Sequence, residues 1–256
     1  MTRLSDLMSF LEKLIPLDLQ DSWDNCGLQV GDQNKEIKKV GFSLSVSKSV
    51  IEEARKKEID LIITHHPLTV SGLKSINNFS YPAFLLLELI KHDIAVYSLH
   101  TNLDVSELGP TKIIAEYLDI KVEGAILDKP PYGITGSLKS PFSQKELFER
   151  LKSFLPLDVF RCINPKMNER VEKVAICSGS GASFIELVAG KVDVYITGDI
   201  KYHDALKAID LGLTVFDMGH FGTERLFFKK LINVLKETFK EVEFIVLEEK
   251  SPYEVI

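Results

Sequence analysis

KKVGFSLSVSKSVIEEARKKEIDLIITHH, residues 38–66, decides the fold. It opens on an apolar run, passes a small-residue turn, and continues with Val50, Ile51 and Ala54 at helical spacing. It closes on Leu-Ile-Ile-Thr, an apolar run short enough for a buried strand. Strand, helix and strand within fewer than thirty residues make a βαβ unit, so the two strands are expected to lie parallel in one sheet. The second strand runs straight into His65 and His66. Successive side chains within a strand point to opposite faces. Here the strand is expected to end at Thr64, and Pro67 holds His66 to extended or turn shapes, so both imidazoles can rise from the sheet edge.

Outward from this unit the alternation continues. Leu4, Leu7, Met8, Leu11, Leu14 and Ile15 predict a first helix stopped by Pro16. Strands are expected at 40–46, 60–64, 94–99, 134–138, 171–177, 193–197, 213–217 and 242–247. Helices are expected near 48–57, 81–92, 110–118, 143–154, 182–190, 202–211 and 223–239. This pattern predicts an α/β fold with mostly parallel sheets covered by helices. A second stretch, EKVAICSGSGASFIELVAGKVDVYITGD (172–199), repeats the first in order and spacing, and KHDIAVYSLH (91–100) is matched by AIDLGLTVFDMGH (208–220). Each half then places a histidine four residues before an acid: His100 and Asp104, His220 and Glu224. An internal duplication is therefore expected, with two similar α/β subdomains over 1–127 and 128–256 joined at DKPPYG (128–133), and a cleft between their strand ends.

Those strand ends carry the chemistry. His65, His66, His100, Asp104, His220 and Glu224 all fall just past expected strands. Imidazole and carboxylate without thiolate suit Zn, Mn, Fe, Co or Ni. His220 and Glu224 are one helical turn apart and share a face. A pair of ions needs a bridging carboxylate, and Glu224 or Asp104 is the candidate. His203 is either a helix-start residue or a proton shuttle, and His92 precedes a strand on the surface. GSGAS (179–183) is an anion perch or a plain tight turn. Trp23, in WDNCGLQVG (23–31), is expected to pack near a rim. Lys201 and Arg225 flank the site and are either solvated charges or phosphate contacts.

Composition narrows the function classes. With 256 residues and 45% apolar content the chain has ample core. A formal charge of −6 argues against general nucleic-acid binding, which needs a basic surplus. No apolar run approaches the ~20 residues of a membrane span, and MTRLSDLMSFLEKL is no signal peptide. Cys26, Cys162 and Cys177 lack CxxC spacing, and a cytoplasmic protein with reduced cysteines is expected.

WDNCGLQVG, DLIITHHPL, HTNLD, SGSGAS, YITGDIKYHDA and DMGHFGTE, taken together and in order, resemble the GTP cyclohydrolase I type 2 homologues, also called the Nif-three-like family. The resemblance covers essentially the whole chain. It implies two divalent metal ions per subunit between the halves, held by His65, His66, Asp104, His220 and Glu224, with His100 a sixth ligand or a residue behind the ligands. It also implies a ring-shaped homohexamer with no extra domain inserted between the halves. The function expected is a metal-dependent hydrolase that opens the purine ring of GTP through a metal-bound hydroxide, releasing formate on the way to dihydroneopterin triphosphate. His100 and His203 are the candidates for passing protons. The alternatives are a two-metal phosphoesterase and a non-catalytic metal-binding regulatory or interaction module.

Overall fold

Strands form where both faces of an extended run are apolar, and Val40, Phe42, Leu61, Ile62, Ile63, Ala95, Val96 and Tyr97 are all wholly buried. The structure is a computed structural model that describes residues 1–156 and 158–253. In chain order its elements begin with α1 (Leu4–Leu14), β1 (Gly27–Val30), β2 (Lys39–Ser43), α2 (Lys48–Lys56), β3 (Leu61–Thr64), α3 (Ala83–Lys91), β4 (Ala95–Ser98) and α4 (Thr101–Asp104). There follow α5 (Pro110–Tyr117), β5 (Ile120–Gly124), β6 (Leu127–Asp128), β7 (Pro131–Tyr132), β8 (Ile134–Ser143), α6 (Gln144–Phe154) and β9 (Arg161–Ile163). The remaining elements are β10 (Arg170–Ser180), α7 (Ile185–Val188), β11 (Val194–Gly198), α8 (Tyr202–Asp210), β12 (Thr214–Asp217), α9 (His220–Glu224), α10 (Phe227–Thr238) and β13 (Glu243–Val246).

The chain divides into two units. The first comprises Met1–Ser106 and Phe228–Lys250. Its five-stranded sheet has the order β1-β4-β3-β2-β13. β13, β2, β3 and β4 run parallel, and β1 closes one edge antiparallel to β4. Local signals set the covering helices. The Ser47 hydroxyl caps α2 by accepting from the Val50 amide at 3.2 Å. Val50, Ile51 and Ala54 turn inward to a core shared with Ile62, Leu85, Leu89 and Val96.

The second unit comprises Glu107–Phe227 and Ser251–Ile256. Its six-stranded sheet has the order β5-β8-β10-β11-β12-β9. Only β10, β11 and β12 run parallel; the pairs β5–β8, β8–β10 and β12–β9 are antiparallel. The expectation of mostly parallel sheets thus holds for the first unit, while the second sheet is mixed. The reason is the short connection from β5 to β8, which brings the strands back as antiparallel neighbours and leaves no room for a crossover helix. DKPPYG, expected to join the halves, lies within the second unit and forms the β6–β7 hairpin, with Leu127 opposite Tyr132. The division falls at Ser106/Glu107, ahead of the expected 127/128, and α10 and β13 belong with the N-terminal segment through the parallel pairing of β13 with β2. A capping box of Ser143 and Glu146 starts α6, whose Leu147 and Leu151 pack on Val171, Ile196 and Phe216. No helix among the described residues is long and apolar enough to cross a membrane.

Candidate metal centre

Register brings the histidines of the first unit together. Ser43 lies level with Thr64, and Thr64 with Ser98. Two residues past that rung stand Ser45, His66 and His100; one residue past it stand His65 and Leu99. The neighbours follow from this offset. The Ser45 hydroxyl is 2.7 Å from His66 Nδ1, and His65 Nδ1 donates to the Leu99 carbonyl at 2.7 Å. The His65, His66 and His100 rings are 5.0–5.5 Å apart centre to centre. Each offers one ring nitrogen, and the three nitrogens lie within 4.8 Å of one another. Asp104, at the end of α4, reaches to 3.6 Å from His65 Nε2.

His100 is held from behind by Asp24. Its Nδ1 lies 2.9 Å from Asp24 Oδ1, and the other carboxylate oxygen accepts from the Thr101 amide at 3.1 Å and the Thr101 hydroxyl at 2.5 Å. Burial alone would raise the Asp24 pKa, but the hydrogen bonds from His100 and Thr101 overcome it and hold the group well below the usual carboxylate range. An ionised carboxylate only accepts, so Nδ1 of His100 carries the proton. His100 Nε2 is then the nitrogen left for a ligand.

In the second unit Thr197 of β11 is level with Asp217 of β12. The chain after β12 turns at Gly219, whose φ of 74° belongs to the left-handed region and whose β-carbon position is filled by the Asp158 carboxylate. α9 then places His220 and Glu224 on one face, with Nε2 to Oε2 at 2.8 Å. His220 Nδ1 lies 2.7 Å from Asp199 Oδ2. Burial by itself would lower the His220 pKa; the Glu224 and Asp199 carboxylates outweigh it and push it up to about 9.

Glu224 rests on the GSGAS turn. A β-carbon on Gly179, where φ is 63°, would overlap the Glu224 carboxylate. The turn is not free to cradle an anion: the amides of Gly179 and Gly181 donate to the hydroxyls of Thr223 and Thr197 at 3.0 and 3.1 Å. Its glycines make room for a carboxylate instead. His203 stands apart on the exposed first turn of α8, its ring edge-on to Tyr202, and belongs to no cluster of ligand atoms among the described residues. Trp23 is half exposed and packs edge-on to His100 at 6.0 Å.

The donor set fits a divalent ion. Three atoms within 4.8 Å of each other have a common point no farther than about 2.8 Å from all of them, so shifts under ~1 Å reach the 2.0–2.1 Å of an imidazole–metal bond. Metal-binding imidazoles almost always have the second nitrogen fixed by a carboxylate, carbonyl or hydroxyl. All four histidines have this: Leu99 behind His65, Ser45 behind His66, Asp24 behind His100 and Asp199 behind His220. Sequence reasoning missed this layer. Ser45 could have been found from its equal offset past the strand end. Asp199 stands where the repeat alignment puts His66. Asp158 had no signal, being one aspartate in a loop.

Comparison with known proteins adds the family. The model of the Duf34/NIF3 (NGG1p interacting factor 3) family matches residues 2–252. The chain belongs to the Duf34/NIF3 family. A Campylobacter jejuni member named GTP cyclohydrolase 1 type 2 homolog is 36% identical over 252 residues, covering 98% of this chain and 99% of its own length. A Helicobacter pylori protein named GTP cyclohydrolase 1 type 2 is 31% identical over 260 residues and the full length of both. Among solved structures, reduced HcgD from Methanocaldococcus jannaschii matches with a TM-score of 0.86 at 33% identity, over 97% of this chain and 98% of that one. The Bacillus cereus protein related to NIF3 shares the fold at 21% identity, with a TM-score of 0.88 over 100% of this chain and 99% of that one. Within the Duf34/NIF3 fold, the α/β units of this chain present two groups of imidazoles and carboxylates able to take metal ions.

Proposed function

We propose that this Duf34/NIF3 protein is a divalent-metal-dependent hydrolase of a purine nucleotide, with GTP as the substrate its relatives' names point to. The observation that carries the proposal is the four imidazoles, each locked at Nδ1 by a group of its own unit. Nothing in packing alone requires that arrangement four times. In this reading His65, His66 and Asp104 from the first unit and His220 and Glu224 from the second hold two ions in the cleft between duplicated halves. Three consecutive parallel strands in each unit, β2-β3-β4 and β10-β11-β12, support the duplication.

Bound ions of this kind act as Lewis acids and make water acidic enough to attack near neutral pH. The protein's own residues do the rest. Asp24 keeps the His100 proton on Nδ1, so Nε2 either completes the ligand set or receives a proton from the attacking water. In the same reading His203, edge-on to Tyr202, is the second candidate for passing protons. The reaction proposed uses two waters: the first adds at C8 of GTP and opens the five-membered ring to a formamide, and the second cleaves the remaining C8–N bond, releasing C8 as formate and leaving the amine. A ring of six copies belongs to the same reading, and the exposed Phe79 and Tyr81 support self-association.

The test is elemental analysis of protein purified without added metal, joined to a formate assay with GTP. Two ions per chain and formate release that disappears in His65→Ala and Glu224→Ala are expected. Metal-loaded protein that releases neither formate nor phosphate between about pH 6 and 9 overturns the hydrolase reading.

A further inference from the structure

We infer that the second unit carries a nucleotide pocket between β9 and the start of α8, with Arg161 and Lys201 as its phosphate contacts and Tyr202 as its stacking ring. The depression measures about 560 Å³, a size common for small-molecule sites. Its floor is apolar, made by Cys162, Ile163 and Ile200. Its charged lining residues are both cations, in a chain whose net charge is −6. Anions are the partners such a lining selects.

Arg161 is fixed in place. One guanidinium nitrogen donates to the Ile200 carbonyl at 3.0 Å and to the Asp217 carboxylate. Asp217 is wholly buried and accepts also from the Ile200 and Gly219 amides. Its charge is thus turned inward on the protein. The Arg161 side chain is still 55% exposed, so its other N–H groups face outward in a fork already held in position. The Lys201 carbonyl accepts from the Ala205 amide at 2.9 Å, and its side chain makes no ion pair or hydrogen bond among the described residues. Tyr202 is 73% exposed, a large ring kept at the rim of an apolar floor. Base-on-ring stacking with a cation beside it is the usual way to hold a nucleotide without reading its sequence partners. Of the other titratable side chains nearby, His203, edge-on to Tyr202, Asp204 in the first turn of α8, and Asp199 just before Ile200 do not line the depression.

Position gives the pocket its relevance. The short turn after β11 carries Asp199, which orients His220, and then Ile200 and Lys201, which line the pocket. A ligand seated there lies against the same turn that supports the candidate centre. The choice of a nucleotide rests on the hydrolase reading above; the preference for an anion does not.

The experiment is calorimetric titration of the full-length protein with GTP and with inorganic triphosphate, first as purified and then after chelation. Lys201→Glu should weaken both ligands by about tenfold or more. Tyr202→Ala should weaken GTP and leave triphosphate unchanged. Both side chains are exposed, so thermal melts should match wild type, and Arg161→Lys provides a third, milder loss. Equal binding in wild type and Lys201→Glu overturns the pocket, as does complete loss of GTP binding on chelation. The formate assay separates the two proposals. Lys201-dependent GTP binding without turnover removes the hydrolase and keeps the pocket. Turnover with an unchanged KM in Lys201→Glu removes the pocket and keeps the hydrolase.

Discussion

Asp24 and His100 lie 76 positions apart in the chain and meet at 2.9 Å, with the aspartate side chain fully buried behind the imidazole. The carboxylate orients the ring and fixes its tautomer. Asp24→Asn keeps the shape and removes the charge. Metal affinity is expected to fall by about 10- to 100-fold, the usual cost of losing a partner behind a ligand. Competition with a chromophoric chelator measures it. An unchanged affinity would mean that His100 takes no part in holding the ion.

Gly179 tests the seat of Glu224. Alanine there meets both a φ of 63° and the carboxylate itself. Gly179→Ala should cost about 1–3 kcal/mol of stability and lower the metal content toward one ion per chain, with circular dichroism intact. Two ions retained at wild-type affinity would show that Glu224 is not a ligand.

Removal of metal should register in stability as well as activity. Ions present at a hundred times their dissociation constant stabilise the folded state by ~2.7 kcal/mol per site. For a chain of this length that is roughly 5–10 °C in the melting temperature. Scanning calorimetry with and without chelator should show this drop, reversed on adding metal back.

The thiols give a prediction independent of the metals. Burial pushes Cys26 and Cys162 up to about 11. At pH 7 about one in 10⁴ of each is thiolate, so alkylation should run about a hundredfold or more slower than for free cysteine. Mass spectrometry after timed iodoacetamide treatment checks it; labelling at the free-cysteine rate would contradict the buried geometry.

Phe79 and Tyr81 are 86% and 77% exposed in one surface segment. If copies of the chain meet there, Phe79→Asp with Tyr81→Asp should reduce the sedimenting mass to that of a monomer. A mass equal to wild type would place the contact elsewhere.

Elements built from continuous apolar runs were legible in the sequence to within a few residues, because burial on both faces leaves no other pattern: β3 and β11 are examples. β1 and β9 were not. They are short edge strands of four and three residues whose exposed sides carry ordinary polar groups. The helix expected at 223–239 is two, since Gly219 lets α9 begin at His220 and α10 starts afresh at Phe227. At the site, histidine and acid spacing exposed the ligand candidates, and the His220–Glu224 pair shares one helical turn as expected. The groups behind them were hidden because their partnership depends on register. Ser43 level with Thr64 cannot be read from a linear chain.

The pairing of β13 with β2 bears on how the protein is born. During synthesis, Val40, Phe42 and their neighbours emerge from the ribosome some two hundred residues before the strand that will lie beside them. Until then β2 is an apolar border with unsatisfied backbone groups, the kind of margin that invites pairing with other nascent chains. The N-terminal unit therefore cannot finish until β13 has been made. Whatever shields that border in the interval, whether a chaperone or transient self-contact, is as much a requirement of this topology as the final strand itself.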